Sequence, residues 1–272
     1  MLHSLIALLT FAALPLGALA QYSDATPKPE VPTPAGPRIT YNKVNADGLY
    51  IALTFDDGPG KTTTPRLLDL LAKRGVKVTF FVLGENVQEN PDLLKREVAQ
   101  GHEIGNHSWS HPNLARMPED AVRSQLQRTQ DLVFQITGIK PKTMRPPYGS
   151  FTEHQRKWAN EQFGYKVILW EVDPLDWKKP GSSVVAQRIL SETRPGYIIL
   201  SHDIHAQTID AMAETIDGLL AKGFKFVTVS ELIARDRPVT KPSPSASPAA
   251  SATPAPVGAS TPAASSHKKK RS

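Results

Sequence analysis

LYIALTFDDGPGKTTTPRLLDLLAKRGVKVTFFV, residues 49–82, reads as strand, helix, strand. LYIALTF (49–55) and VTFFV (78–82) are short apolar runs rich in β-branched and aromatic residues, whereas TPRLLDLLAKRG (64–75) alternates apolar and charged positions with helical spacing. Pro65 stands near the start of that helix and Gly75 follows its end, the asymmetry expected of helix termini. A strand, a crossover helix and a second strand make a βαβ unit, and its strands run parallel.

The same alternation continues in both directions. Further strands are expected at HEIG (102–105), KTMR (142–145), KVILW (166–170), YIILS (197–201) and FKFVTV (224–229). Further helices are expected at 91–101, 118–138, 153–164, 183–193 and 209–223. About seven βα units fit either an open doubly wound sheet or a closed β/α barrel. An open sheet gathers its ligands at one switch point, whereas a barrel collects residues from the C-terminal ends of many strands on one rim. Here Asp56 and Asp57 follow the first expected strand, His107 and His111 the third, Arg145 ends the fourth, Asp173 and Asp176 follow the fifth, and His202 the sixth. That distribution favours an α/β fold of the closed (β/α) barrel type, and no Gly-rich phosphate loop accompanies the first strand.

Composition bounds the rest. Residues 1–20, MLHSLIALLTFAALPLGALA, hold a short apolar run and end in the A-x-A pattern of a signal-peptidase site, so a leader cleaved near Ala20 and a secreted product are expected, an uncleaved anchor being the alternative. Residues 21–37 form a Pro-rich linker and 237–272 a Pro/Ala/Ser-rich disordered tail ending HKKKRS, neither with the apolar content to bury a core. The folded domain is therefore 38–236. Of the net charge of +6, five positive charges lie on Lys241, Lys268, Lys269, Lys270 and Arg271, and six less these five leaves one; a nearly neutral domain argues against nucleic acid as a partner. The basic tail would be weakly attracted to an anionic wall polymer or membrane. With no cysteine, there is no disulfide, catalytic thiol or thiolate metal site, and any metal must be held by His, Asp or Glu.

Five short segments carry the candidate chemistry. TFDDGP (54–59) puts two carboxylates at a strand mouth, where one can bind a metal while the other serves as a base; taken alone it is also an ordinary turn capping the next helix. HSWSH (107–111) spaces two imidazoles at i and i+4, which a single helical turn would place on one face; alone, these are by default two satisfied surface or core histidines. His-His-Asp supplies three ligands and leaves a position open to water, the pattern of a catalytic metal site. RPPYG (145–149) offers a guanidinium that would keep a neighbouring carboxylate ionised. DPLDW (173–177) and LSH (200–202) together offer a histidine and a carboxylate partner, either Asp173 or Asp176.

In this order TFDDGP, HSWSH, RPPYG, DPLDW and LSH resemble the five motifs of the NodB-homology polysaccharide deacetylases, carbohydrate esterase family 4, and span about 150 of roughly 200 domain residues. The resemblance implies a distorted barrel and hydrolysis of N-acetyl groups on amino sugars. It makes Asp57, His107 and His111 the metal ligands, Asp56 the general base, Arg145 the group that orients Asp56, His202 the general acid and Asp176 its partner. It gives the Tyr148 backbone N–H to the oxyanion, and Trp177 and Leu200 to the pocket for the acetyl methyl. His102, His154 and His205 match no ligand position. One divalent ion is implied, Zn²⁺ first, with Co²⁺ or Ni²⁺ accepted by the same donors. Peptidoglycan is the first substrate expectation, with chitin oligosaccharides and poly-N-acetylglucosamine next, and the chain is expected to act as a monomer. An O-acetyl esterase on xylan, a small-amide hydrolase, or a glycan-binding module without turnover are the alternatives.

Overall fold

The computed structural model describes residues 38–237. The expected leader (1–20), linker (21–37) and, apart from Arg237, tail (237–272) lie outside the described residues. Among the described residues no helix is long and apolar enough to cross a membrane.

Among the described residues eight strands, β1 (Thr40–Tyr41), β2 (Tyr50–Asp56), β3 (Thr79–Val82), β4 (Glu103–Asn106), β5 (Thr143–Met144), β6 (Lys166–Ile168), β7 (Ile198–Ile199) and β8 (Lys225–Phe226), are interspersed with eight α-helices. The helices are α1 (Thr63–Arg74), α2 (Gly84–Glu89), α3 (Pro91–Ala99), α4 (Glu119–Thr137), α5 (Glu153–Phe163), α6 (Ser182–Glu192), α7 (Ala206–Ala221) and α8 (Val229–Ile233). The strand order is β1-β6-β5-β4-β3-β2-β7, with β8 also on β2, and every strand pair is parallel. From β2 to β6, strands adjacent in sequence are adjacent in space. The ring closes where Val172, beyond the end of β6, bridges to Ile199 of β7. That closure rests on isolated bonds, Glu171 N–H to Ile198 O at 3.0 Å and Leu200 N–H to Val172 O at 2.9 Å. The barrel is therefore distorted, as the sequence implied.

β2 is the axis of the arrangement, pairing with β3, β7 and β8. Its side chains alternate. Ile51, Leu53 and Phe55 join the large core with Leu67, Leu68 and Leu71 of α1 and Met212, Ile216 and Leu219 of α7. Ala52 faces the other way, into a second cluster with Phe81, Ile168, Ile198 and Leu232 of α8. Thr54 and Asp56 share the inward face with Ala52, so the same period that builds the core delivers a carboxylate to the top of the barrel interior.

Several expected boundaries shift. β5, β6 and β7 are shorter than KTMR, KVILW and YIILS suggested. The last expected strand ends early because Thr228 accepts from Glu231 N–H in a capping box that starts α8 at Val229. β1 and α2 were not anticipated; both are too short to show a period.

Candidate active site

The strand ends place the singled-out residues around one cleft of about 380 Å³, lined by Asp56, Asp57, His107, His111, Tyr148, Trp170, Asp173, Trp177, Leu200 and His202, with Pro146. Asp56 is the last residue of β2, and Asp57 follows it with a left-handed backbone, φ 74°. A non-glycine residue adopts this conformation only when its surroundings hold it there. Asn86 on α2 donates to the Asp57 carbonyl at 2.6 Å.

The expectation of a helical turn at HSWSH is not met. His107 follows β4, its N–H bonded to Val82 O at 3.0 Å, and residues 107–111 form a loop with left-handed Ser108 (φ 73°) and His111 (φ 60°). One neighbouring and one distant side chain outcompete the helix: Asn106 Oδ1 accepts from Ser108 N–H, and Gln125 Oε1, from α4, accepts from both Trp109 and Ser110 N–H. The loop still brings the imidazoles together, with ring centroids 5.0 Å apart, and Tyr148 braces His111 edge-on at 4.6 Å.

Asp57 Oδ1 lies 3.4 Å from His107 Nε2 and 3.5 Å from His111 Nε2, and it is buried with no hydrogen-bond partner among the described residues. His107 Nδ1 lies 2.7 Å from the Arg145 carbonyl, which can only accept, so in the neutral ring Nδ1 carries the proton and Nε2 presents the lone pair. Burial and the neighbouring His107 lower the pKa of His111, favouring its neutral imidazole. Lone pairs from two imidazoles and one carboxylate thus converge at separations matching the roughly 3.4 Å edge of a tetrahedron with metal–ligand bonds of about 2.0–2.1 Å. Asp57, His107 and His111 fit a metal ion on this chemistry. Burial pushes the Asp57 carboxyl up, but the facing histidines more than offset it and bring it down to about 2.

Arg145, just beyond β5, lies wholly buried inside the barrel. It donates to Asp56 Oδ1 and Thr54 Oγ1, each at 2.7 Å, and to the carbonyls of Ile168 and Leu169 at 3.3 and 3.2 Å, with its guanidinium 4.3 Å from the Phe81 ring centroid. Burial lowers its pKa, and the Asp56 carboxylate resists that.

Asp176 is the partner of His202. Its Oδ1 is 2.8 Å from His202 Nδ1, and its Oδ2 accepts from His202 N–H and Thr208 Oγ1, both at 2.8 Å. Asp173 turns to its own loop, accepting from Leu175 N–H at 2.9 Å. Burial draws the His202 pKa down, yet the bond and charge of Asp176, helped by Asp56 and Asp57, raise it to about 9. Trp177 and Tyr148 are exposed on the rim, while Leu200 is buried at the wall. His102 packs edge-on against Phe80 and accepts from Val78 N–H, and His154 pairs with Glu119 on the surface, so both stand apart from the cleft. His205 stands beside His202, ring centroids 5.9 Å apart. Trp170, a wall of the cleft, was read only as the end of a strand.

A family model described as polysaccharide deacetylase matches residues 43–168. A peptidoglycan-N-acetylglucosamine deacetylase of Bacillus cereus is 42% identical over 196 residues, 71% of this chain and 69% of that protein. The peptidoglycan-N-acetylglucosamine deacetylase PgdA of Listeria monocytogenes is 42% identical over 211 residues, 78% of this chain; this chain spans only 43% of that longer protein. The crystal structure of the Bc1960 peptidoglycan N-acetylglucosamine deacetylase superposes with a TM-score of 0.70 at 38% identity, covering 74% of this chain and 96% of that one. With the five motifs closed into a single cleft on a matching barrel, the chain belongs to the polysaccharide deacetylase family, carbohydrate esterase family 4.

Proposed function

We propose that the chain is an exported, metal-dependent N-deacetylase that hydrolyses the N-acetyl groups of amino-sugar polysaccharides, with the N-acetylglucosamine of peptidoglycan as its substrate. The observation that supports this most is the convergence on one cleft of Asp57, His107 and His111 with the separate pairs Asp56–Arg145 and His202–Asp176. The similar proteins named as peptidoglycan deacetylases support the choice of glycan. The leader at 1–20 supports export, and the basic tail suits weak attraction to an anionic wall. Chitin oligosaccharides and poly-N-acetylglucosamine share the same acetamido group and rank next.

A divalent ion, Zn²⁺ first and Co²⁺ or Ni²⁺ by the same donors, would be held by Asp57, His107 and His111, supplying Lewis-acid polarisation of the carbonyl and acidifying water there. Asp56 has one oxygen tied to Arg145, and the other takes the proton of the attacking water as the new carbon–oxygen bond forms. The Tyr148 backbone N–H steadies the oxyanion of the tetrahedral intermediate. His202 then gives the proton on Nε2 to the amide nitrogen, since its Nδ1 is engaged by Asp176. The carbon–nitrogen bond breaks with the nitrogen leaving as an amine, and the products are acetate and a free amino sugar. Trp170, Trp177 and Leu200 form the apolar walls against which the acetyl methyl packs.

Acetate release from peptidoglycan fragments, chitooligosaccharides and acetyl-xylan, with and without chelator, tests this reading. Chelator-sensitive release from N-acetylated glycans is expected. Release from acetyl-xylan alone would make the chain an O-acetyl esterase, and release from none would leave a small-amide hydrolase or a glycan-binding module.

A further inference from the structure

The left-handed backbone of Asp57 must be held, and the clamp on its far side is a residue outside the five motifs. Asp203 is completely buried. Its carboxylate lies directly under Gly58, where a Cβ would fall 2.3 and 2.4 Å from its two oxygens. Gly58 is thus required by the side chain beneath it. Oδ2 of Asp203 accepts from Thr64 Oγ1, and the same Thr64 hydroxyl accepts from Gly60 N–H at 2.7 Å. Asp203 N–H approaches Asp56 O at 3.4 Å, continuing the bridge of Asp56 to His202. On the opposite side, Leu83 N–H holds Gly58 O at 3.1 Å, and Asn86 and Asn90 hold the carbonyls of Asp57 and Pro59.

A carboxylate is a costly choice for this place. Oδ1 of Asp203 is buried without a hydrogen-bond partner among the described residues, where an apolar side chain would carry no desolvation cost. What an apolar residue cannot do is accept from Thr64 and so fix the Gly60 amide. We propose that Asp203 is a positioning residue for the metal site: with Thr64 it clamps residues 57–60 so that Asp57 Oδ1 meets His107 and His111. The inference rests on the proposed metal-binding reading of those three residues.

The test is Zn²⁺ affinity of the purified full chain, by competition with a chromophoric chelator, with melting temperature measured in parallel. Asp203→Ala is expected to weaken zinc binding about 10- to 100-fold, the usual cost of losing a group that orients a metal ligand. Asp203→Asn keeps the shape and an acceptor for Thr64, and is expected to bind within several-fold of the parent. Thr64→Val, which keeps the volume and removes the relay, is expected to weaken binding. A folded Asp203→Ala protein that binds zinc as tightly as the parent, whatever its melting temperature, overturns the proposal; so does an Asn variant as weak as the Ala variant. Should Asp203→Ala fail to fold, Thr64→Val decides, and unchanged affinity overturns the proposal. A parent chain that binds no zinc would overturn the metal-site reading instead.

Discussion

Arg145 Nη1 donates to Asp56 Oδ1 at 2.7 Å, while the other oxygen of that carboxylate, Oδ2, stands 3.7 Å from His107 Nε2. The carboxylate is tied at one oxygen and left available at the other, on the side of the metal ligands. Arg145 meets four acceptors through three nitrogens, a pattern that a single lysine ammonium cannot reproduce. Arg145→Lys is therefore expected to lower kcat at least 100-fold with KM changed only a few-fold. Arg145→Met leaves a buried carboxylate unpaired and is expected to cost about 3–5 kcal/mol in urea denaturation. A Met variant as stable as the parent would contradict the pairing.

At the opposite end of the barrel, Glu103 opens β4 and ties four elements together. Its oxygens accept from Thr79 Oγ1 on β3 and Thr143 Oγ1 on β5, both at 3.0 Å, and from Ser230 N–H and Oγ on α8 at 2.8 and 2.7 Å. Glu103→Ala is expected to lower stability by about 1.5–3 kcal/mol, as for bonds to a charged group, with deacetylation at low temperature unchanged. Loss of activity in a fully folded variant would show that this end communicates with the site.

The large features were legible because they repeat. The βα alternation gave a parallel sheet, and strand ends such as Asp56, His107, Arg145 and His202, gathered on one rim, favoured the barrel over the open sheet. Where the local reading failed, side chains distant in sequence decided the outcome. Gln125 from α4 fixes the loop that was expected to be a helical turn at HSWSH, and nothing within 107–111 announces it. The choice between Asp173 and Asp176 depends on Thr208, about thirty positions onward, donating to the latter. Asp203 was hidden in a different way: it follows His202 directly, and only the fold puts it beneath Gly58. Trp170 looked like strand because its neighbours are apolar, and the early end of β6 at Ile168 is what frees it to line the cleft.

His202 supplies a pH prediction with a definite sign. Its ordinary pKa of 6.5 is raised to about 9 in the fold, since Asp176, Asp56 and Asp57 outweigh burial. A raised pKa means that the protonated form stabilises the fold fully below about pH 6.5, and that this contribution is lost as pH rises through about 9. NMR titration of the metal-free protein is expected to place the His202 midpoint near pH 9, and a dication at Asp57 should bring it lower by cancelling that charge. Asp176→Asn is expected to move the midpoint down towards or below 6.5 and to shift the alkaline limb of kcat with it. An unmoved midpoint would remove Asp176 from its role.

The adjacent carboxylates can be separated by metal removal. If Asp57 belongs to the ion and Asp56 to the proton, their variants must differ in a measurement that involves no turnover. Zinc at 100 times its Kd stabilises a protein that binds it only when folded by about 2.7 kcal/mol. For a domain of this size that is roughly 5–10 °C in Tm. Dialysis against chelator is expected to lower the Tm of the parent by about that amount, and added zinc to restore it. The response should shrink on acidification, because an imidazole binds the ion only when neutral. Asp56→Asn should keep the full zinc response while losing most turnover, whereas Asp57→Ala should lose both. An Asp56→Asn protein indifferent to zinc would mean that both carboxylates bind the ion, and the base would have to be sought elsewhere in the cleft.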